Sequence, residues 1–213
     1  MVQANDVGLP GTLVVPEGAE GIVLFAHGSG SSRHSPRNVF VARILEHAGL
    51  GTLLFDLLTR EEEAQDRHTS HFRFDIGLLA ARLAAATEWV AQQALIRRLR
   101  IGYFGASTGS AAALIAAAHL GNRIASVVSR GGRADLAGNA LPRVTSPTLL
   151  IVGGEDDVVI ELNERAFEQM RCAKRMAIVP RATHLFEEPG TLQEAADLAC
   201  SWFQQHLLDI VHA

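Results

Sequence analysis

The chain has 213 residues, 48% of them hydrophobic and 20% charged, with a formal net charge of −4, a balance that suits a single soluble domain spanning residues 1–213. Its Lys and Arg residues are scattered apart from Arg97, Arg98 and Arg100, which argues against a nucleic-acid partner. No apolar run approaches the roughly 20 residues that a bilayer crossing needs, and the N-terminal MVQANDVGLPG lacks the basic-then-apolar order of a secretory signal. The expectation is a cytoplasmic protein with no membrane partner, in which Cys172 and Cys200 are free thiols in helically patterned stretches.

Taken in chain order, short apolar or β-branched runs predict strands over residues 11–15, 21–26, 51–55, 100–104, 124–129, 147–152 and 175–179. Between them, helical periodicity predicts helices over 37–48, 74–93, 108–119, 160–171 and 190–208. The alternation implies βαβ units and a mostly parallel sheet. Runs such as IVLF and LLIV are apolar at every position, as strands covered by helices on both faces must be. In such sheets ligands sit beyond the carboxyl ends of the strands, and the motifs below all fall there.

Between strand 100–104 and helix 108–119 lies Gly105-Ala106-Ser107-Thr108-Gly109, a G-x-S-x-G pentapeptide. A serine on so sharp a strand-to-helix turn is held in a strained backbone conformation, and glycines on either side remove Cβ atoms that would meet the strand and helix. Its hydroxyl projects above the sheet edge, where the helix N-terminus favours developing negative charge. The bland alternative is a glycine-rich turn in which Ser107 is only a helix cap.

A serine hydroxyl needs a base to take its proton, and the imidazole that does so needs a carboxylate to hold its tautomer. On this fold the order is serine, acid, histidine. The acid should follow a later strand, and LLIVGGEDDVV (149–159) offers Glu155, Asp156 and Asp157. Asp156 is preferred because the glycine pair permits a tight turn before it, Asp157 is held in reserve, and Glu155 reads as solvated. Of nine histidines, His184, His206 and His212 follow this loop. His206 falls in the last helix and His212 beside the terminus, both read as surface residues along with His47, His68, His71 and His119; His184 follows strand 175–179 and is the predicted base.

Strand 21–26 runs into His27-Gly28-Ser29-Gly30-Ser31-Ser32. A loop at this place donates a backbone N–H to the oxyanion, and the residue after the nucleophile donates another. Ser29, with Gly30 as the alternative, and Thr108 are assigned to that oxyanion hole; His27 is read as a brace for the loop. The loop has neither the lysine of a phosphate-binding P-loop nor G-x-G-x-x-G spacing.

These segments, with FAHGSGSSRHSPRN (25–38), DLLTREEE (56–63), GYFGASTG (102–109), VSRGGRADL (128–136), IVGGEDDVV (151–159) and PRATHLFEEPG (180–190), resemble the dienelactone hydrolase-like branch of the α/β-hydrolases from about residue 11 to about residue 203. The resemblance implies an α/β-hydrolase fold with helices on both faces of the sheet. It also implies a subgroup of hydrolases whose members are sometimes fused to a phosphoribosyltransferase-like domain, so the chain could be one domain of a longer protein or associate with another. Dienelactone hydrolase itself has a cysteine in the elbow; Ser107 here shifts the expectation to ordinary carboxylic esters. Arg33, Arg37, Asn38 and Arg133 have no role derivable from the sequence beyond salt bridging at the mouth of the site.

The reading is a carboxylesterase acting on small short-chain esters through Ser107, His184 and Asp156, with no metal or organic cofactor. A lactone or thioester hydrolase with the same triad, and a non-catalytic binding domain, are the alternatives. The connection over residues 130–146 carries Arg130, Arg133 and Arg143 and is too short for a cap domain, and the connection 56–73 is too charged to face lipid.

Overall fold

The computed structural model describes residues 1–208, so His212 lies outside the described residues. A seven-stranded sheet forms the centre of the protein: β3 (Gly11–Val14), β4 (Gly21–Ala26), β5 (Gly51–Phe55), β6 (Arg100–Ala106), β7 (Ile124–Arg130), β8 (Thr148–Gly153) and β9 (Lys174–Val179), in the order β3-β5-β4-β6-β7-β8-β9. Only β3 runs against its neighbour; β5 to β9 are parallel throughout. β4, β5 and β8 are buried at every residue, which is why their sequences carry no polar alternation.

Helices α1 (Pro36–His47) and α6 (Thr191–Leu207) cover one face, where Val41, Leu45, Ala199 and Phe203 meet Phe25, Phe104, Val128 and Ile151. On the opposite face, α3 (Ile76–Gln92) and α4 (Thr108–Leu120) bury Leu79, Leu83, Val90 and Leu114 against Ile22, Leu24, Tyr103 and Val127. α5 (Asp157–Gln169) follows β8, and Ala166 of α5 belongs to this second cluster. The alanine-rich stretch of α4 lets that helix approach the sheet closely, and Ala111, Ala112, Ala113, Ala116 and Ala117 are all buried. No helix among the described residues is long and apolar enough to cross a membrane.

Three regions depart from the sequence expectation. The N-terminus forms an antiparallel hairpin, β1 (Val2–Ala4) and β2 (Val7–Leu9), whose Val2, Ala4 and Leu9 enter the core. The charged connection 56–73 contains α2 (Arg60–Thr69), closed at its start by a reciprocal capping box between Thr59 and Glu62. The connection from β7 to β8 winds into a 3-10 segment, Ala134–Arg143, which was not anticipated; as expected, no cap domain stands there. Cys172 lies beyond the end of α5, while Cys200 is on α6; both are free thiols.

Candidate active site

The turn from β6 into α4 places Ser107 at φ 51°, ψ −124°, a left-handed conformation that L-residues seldom adopt. Close packing holds it there. A Cβ on Gly105 would lie 2.5 Å from Ser110 Cα, and one on Gly109 would lie 2.1 Å from Ala26 O, so side chains are excluded on either side of the serine. Arg133 N–H donates to Ser107 O at 3.0 Å, and Ser110 N–H to the same oxygen at 3.1 Å. Ser107 makes no capping hydrogen bond with its side chain, unlike the capping role weighed above.

At the end of β8, Asp156 N–H closes a turn onto Gly153 O at 3.2 Å, and α5 begins at the next residue. Asp156 does not cap α5 with its side chain; its Oδ2 lies 2.7 Å from His184 Nδ1. A carboxylate can only accept, so Nδ1–H is the donor in this contact and Nε2 is the ring nitrogen turned away from Asp156. Glu155 and Asp157 are exposed, whereas the Asp156 carboxylate is largely buried. The His184 ring and Ser107 wall the same cavity of about 260 Å³. Among the described residues no hydrogen bond joins the serine hydroxyl to the imidazole in this state, a contact that often forms only with substrate in place.

His27, Gly28 and Ser29 lead off the end of β4. His27 is buried and doubly tied: Leu57 N–H donates to its Nε2 at 3.0 Å, and its Nδ1–H donates to Gly28 O at 3.0 Å. Burial holds its pKa below the ordinary imidazole value. Ser29 N–H donates to Thr108 Oγ1 at 2.9 Å, which fastens the loop to the first residue of α4. Gly28 packs against the Ser107 turn, since a Cβ there would lie 3.0 Å from Ser107 Cβ.

Of the residues without a role in the sequence, Arg33 pairs with Asp56, Arg133 with Asp135 at 2.8 Å, and Arg37 with Glu187 at 3.2 Å. Asn38 is buried, and its Oδ1 accepts from Arg130 Nη2 at 3.4 Å. Arg130 was read from the sequence as part of the connection 130–146, and its place at the site was missed. It ends the buried strand β7 and lines the same cavity as Ser107 and His184. The signal was an arginine closing an otherwise uncharged run, IASVVSR.

With this geometry, the sequence profile of the dienelactone hydrolase family matches residues 9–207. The chain belongs to the dienelactone hydrolase family. Among solved members, it is similar to a dienelactone hydrolase from Anabaena variabilis, with 59% identity, a TM-score of 0.96, and coverage of 97% of this chain and 96% of that one. A serine hydrolase without a lid from Xanthomonas campestris shares the fold at 22% identity and a TM-score of 0.72, over 95% of this chain and 91% of that one. A putative phosphoribosyl transferase of Mycobacterium tuberculosis is 57% identical over 206 residues, which are 97% of this chain and 46% of the relative. The chain therefore spans about half the length of the curated relatives it matches.

Proposed function

We propose that the protein is a serine carboxylic ester hydrolase in which Ser107 is the nucleophile, His184 the general base and then acid, and Asp156 the carboxylate that orients it. The observation that carries this reading is the strained Ser107 at the start of α4, sharing a cavity with an imidazole whose Nδ1 is fixed 2.7 Å from Asp156 Oδ2. Ser107 Oγ attacks the ester carbonyl as His184 Nε2 takes its proton. The tetrahedral oxyanion is met by the Thr108 N–H and by the Ser29 N–H, the latter shared between the oxyanion and Thr108 Oγ1. Collapse breaks the bond to the alcohol, which leaves with the proton from His184. Water then repeats the sequence on the acyl-enzyme, giving acid and free serine.

The name of the Anabaena relative favours a second reading, a lactone as substrate. The chemistry is the same, with the alcohol left tethered to the acid. Phosphoribosyl transfer, named for the mycobacterial relatives, has no comparable support at this site, and the chain accounts for 46% of their length. We place the protein as a hydrolase domain, either alone or fused to a second domain, acting in the cytoplasm. A fluorophosphonate probe tests the reading: the folded protein should gain one adduct on Ser107, and Ser107→Ala should lose both adduct and turnover by several orders of magnitude. Wild-type protein that hydrolyses esters but stays unlabelled at Ser107 would overturn it.

A further inference from the structure

We infer that the ester turned over here carries a phosphate group, bound by Arg130 and Arg37 beside the first turn of α1 while Ser107 attacks its carbonyl. This rests on the esterase reading above.

Arg130 is 7% exposed at the end of β7, with its guanidinium 5.8 Å from the ring centre of Phe104 and 5.9 Å from that of Phe186. A charge in such an apolar slot is costly unless it is paired. The other buried or half-buried arginines of the sheet edge and helices meet that need: Arg33 with Asp56, Arg73 with Asp66, Arg82 with Glu62, Arg133 with Asp135. Arg130 does not. Its Nη2 makes one long bond to a neutral acceptor, Asn38 Oδ1 at 3.4 Å, and its Nη1 is buried with no hydrogen-bond partner. The charged neighbour that acts on it is Arg37, which has the same sign. Burial draws its pKa down to about 10, which leaves it protonated at neutral pH. A buried donor without a partner, on the wall of the cavity that holds Ser107 and His184, is a site whose counter-charge arrives with the ligand.

Three features of that wall favour phosphate over a neutral group. Two guanidinium groups match a charge of about −1.5 to −2, more than one carboxylate brings. Ser35, Arg37 and Asn38 come from the cap and first turn of α1, whose positive end suits an oxyanion. The Arg37–Glu187 pair is half-buried at Arg37 and exposed at Glu187, and such a partly solvated pair gives way to a ligand at little cost. No step of the acyl transfer changes; the phosphate is a handle that orients the substrate.

The test compares 4-acetoxyphenyl phosphate, 4-acetoxybenzoate and phenyl acetate in the wild type, Arg130→Met and Arg37→Gln, with folding followed by thermal melts. Dividing each variant's kcat/KM by that of the wild type removes intrinsic differences in reactivity. The phosphate ester should lose about 10- to 100-fold more than phenyl acetate in Arg130→Met, as expected for one charge-assisted hydrogen bond, and a smaller factor in Arg37→Gln. Inorganic phosphate should inhibit phenyl acetate hydrolysis competitively in the wild type and more weakly in the variants. Equal losses on all three esters, or a loss confined to the benzoate, would overturn the phosphate site and leave the esterase reading standing. If Arg130→Met does not fold, Arg37→Gln decides by the same ratio. If no ester is turned over, calorimetric titration with inorganic phosphate decides: binding that Arg37→Gln weakens supports the site, and no binding to the wild type overturns it.

Discussion

Gly109→Ala should lower both stability and activity, against the usual sign for a glycine inside a helix. Replacing such a glycine by alanine ordinarily gains about 0.5–1 kcal/mol from reduced backbone entropy. Gly109, the second residue of α4, is different: its new Cβ would lie 2.1 Å from Ala26 O and 2.6 Å from His27 O, where real contacts do not fall below 3.0 Å. The strand end cannot give, because Ala26 is paired with Gly105 in the ladder between β4 and β6. α4 must therefore lift by about 1 Å, an overpacking cost of about 1–3 kcal/mol that outweighs the entropic gain. The lift separates Ser107 and Thr108 from the loop carrying Ser29, and a misplacement of about 1 Å is worth about 10² in rate. Gly77→Ala is the control. That glycine is exposed in the first turn of α3, its Cβ would meet only Asp75 Oδ1 at 3.4 Å, and alanine there should stabilise. Urea denaturation at constant m-value gives the stability difference, and p-nitrophenyl acetate turnover gives kcat/KM. A Gly109→Ala protein that is as stable as the wild type and fully active would refute the packing argument.

Asp156→Asn should reduce kcat by orders of magnitude through loss of the carboxylate that holds the imidazole tautomer, whereas Asp157→Asn, on an exposed side chain, should stay within about twofold; equal effects in steady-state assays would count against the assignment. His27 is held neutral in the fold with its pKa lowered from 6.5, so the unfolded chain binds the extra proton first. Stability is thus complete above about pH 6.5 and declines as the pH falls below it, and His27→Gln should flatten that part of a melting-temperature profile, with the residual slope from His206, which shifts the same way. Across p-nitrophenyl esters, kcat/KM should be highest for short acyl chains, because the cavity at Ser107 is only about 260 Å³ and the one behind the Ser29 loop is walled by Asp56, Glu63, Asp66, Arg67 and Arg73; a maximum at long chains would mean an apolar groove opens there.

Much of the fold was legible because burial on both faces leaves a plain mark: β8 reads TLLIVG, and all six residues are buried. The family resemblance lay in the turns, where glycines are demanded by atoms that nearly touch. What the sequence hid had little apolar signal. β1 and β2 are three residues each, too short for alternation to register. α2, REEEAQDRHT, has no apolar stripe and is held by its capping box and by ion pairs from Arg73 to Asp66 and Arg82 to Glu62; the T-x-x-E that starts it was present and passed over. The choice among Glu155, Asp156 and Asp157 rested on the glycine pair, because the start of α5, expected at residue 160 and found at Asp157, is a boundary that residue pattern places poorly. Arg130 looked like one of three arginines in a loop, and only the burial of β7 and the neighbouring phenylalanines distinguish it from Arg133 and Arg143.

The central claim is that Ser107 becomes acylated. Wild-type protein mixed with p-nitrophenyl acetate, quenched in acid within the first turnovers and mapped by mass spectrometry, should carry a single acetyl group on the peptide containing Ser107, and Ser107→Ala should carry none. Release of p-nitrophenol with no acetyl group at Ser107, or with the group on another residue, would contradict the account.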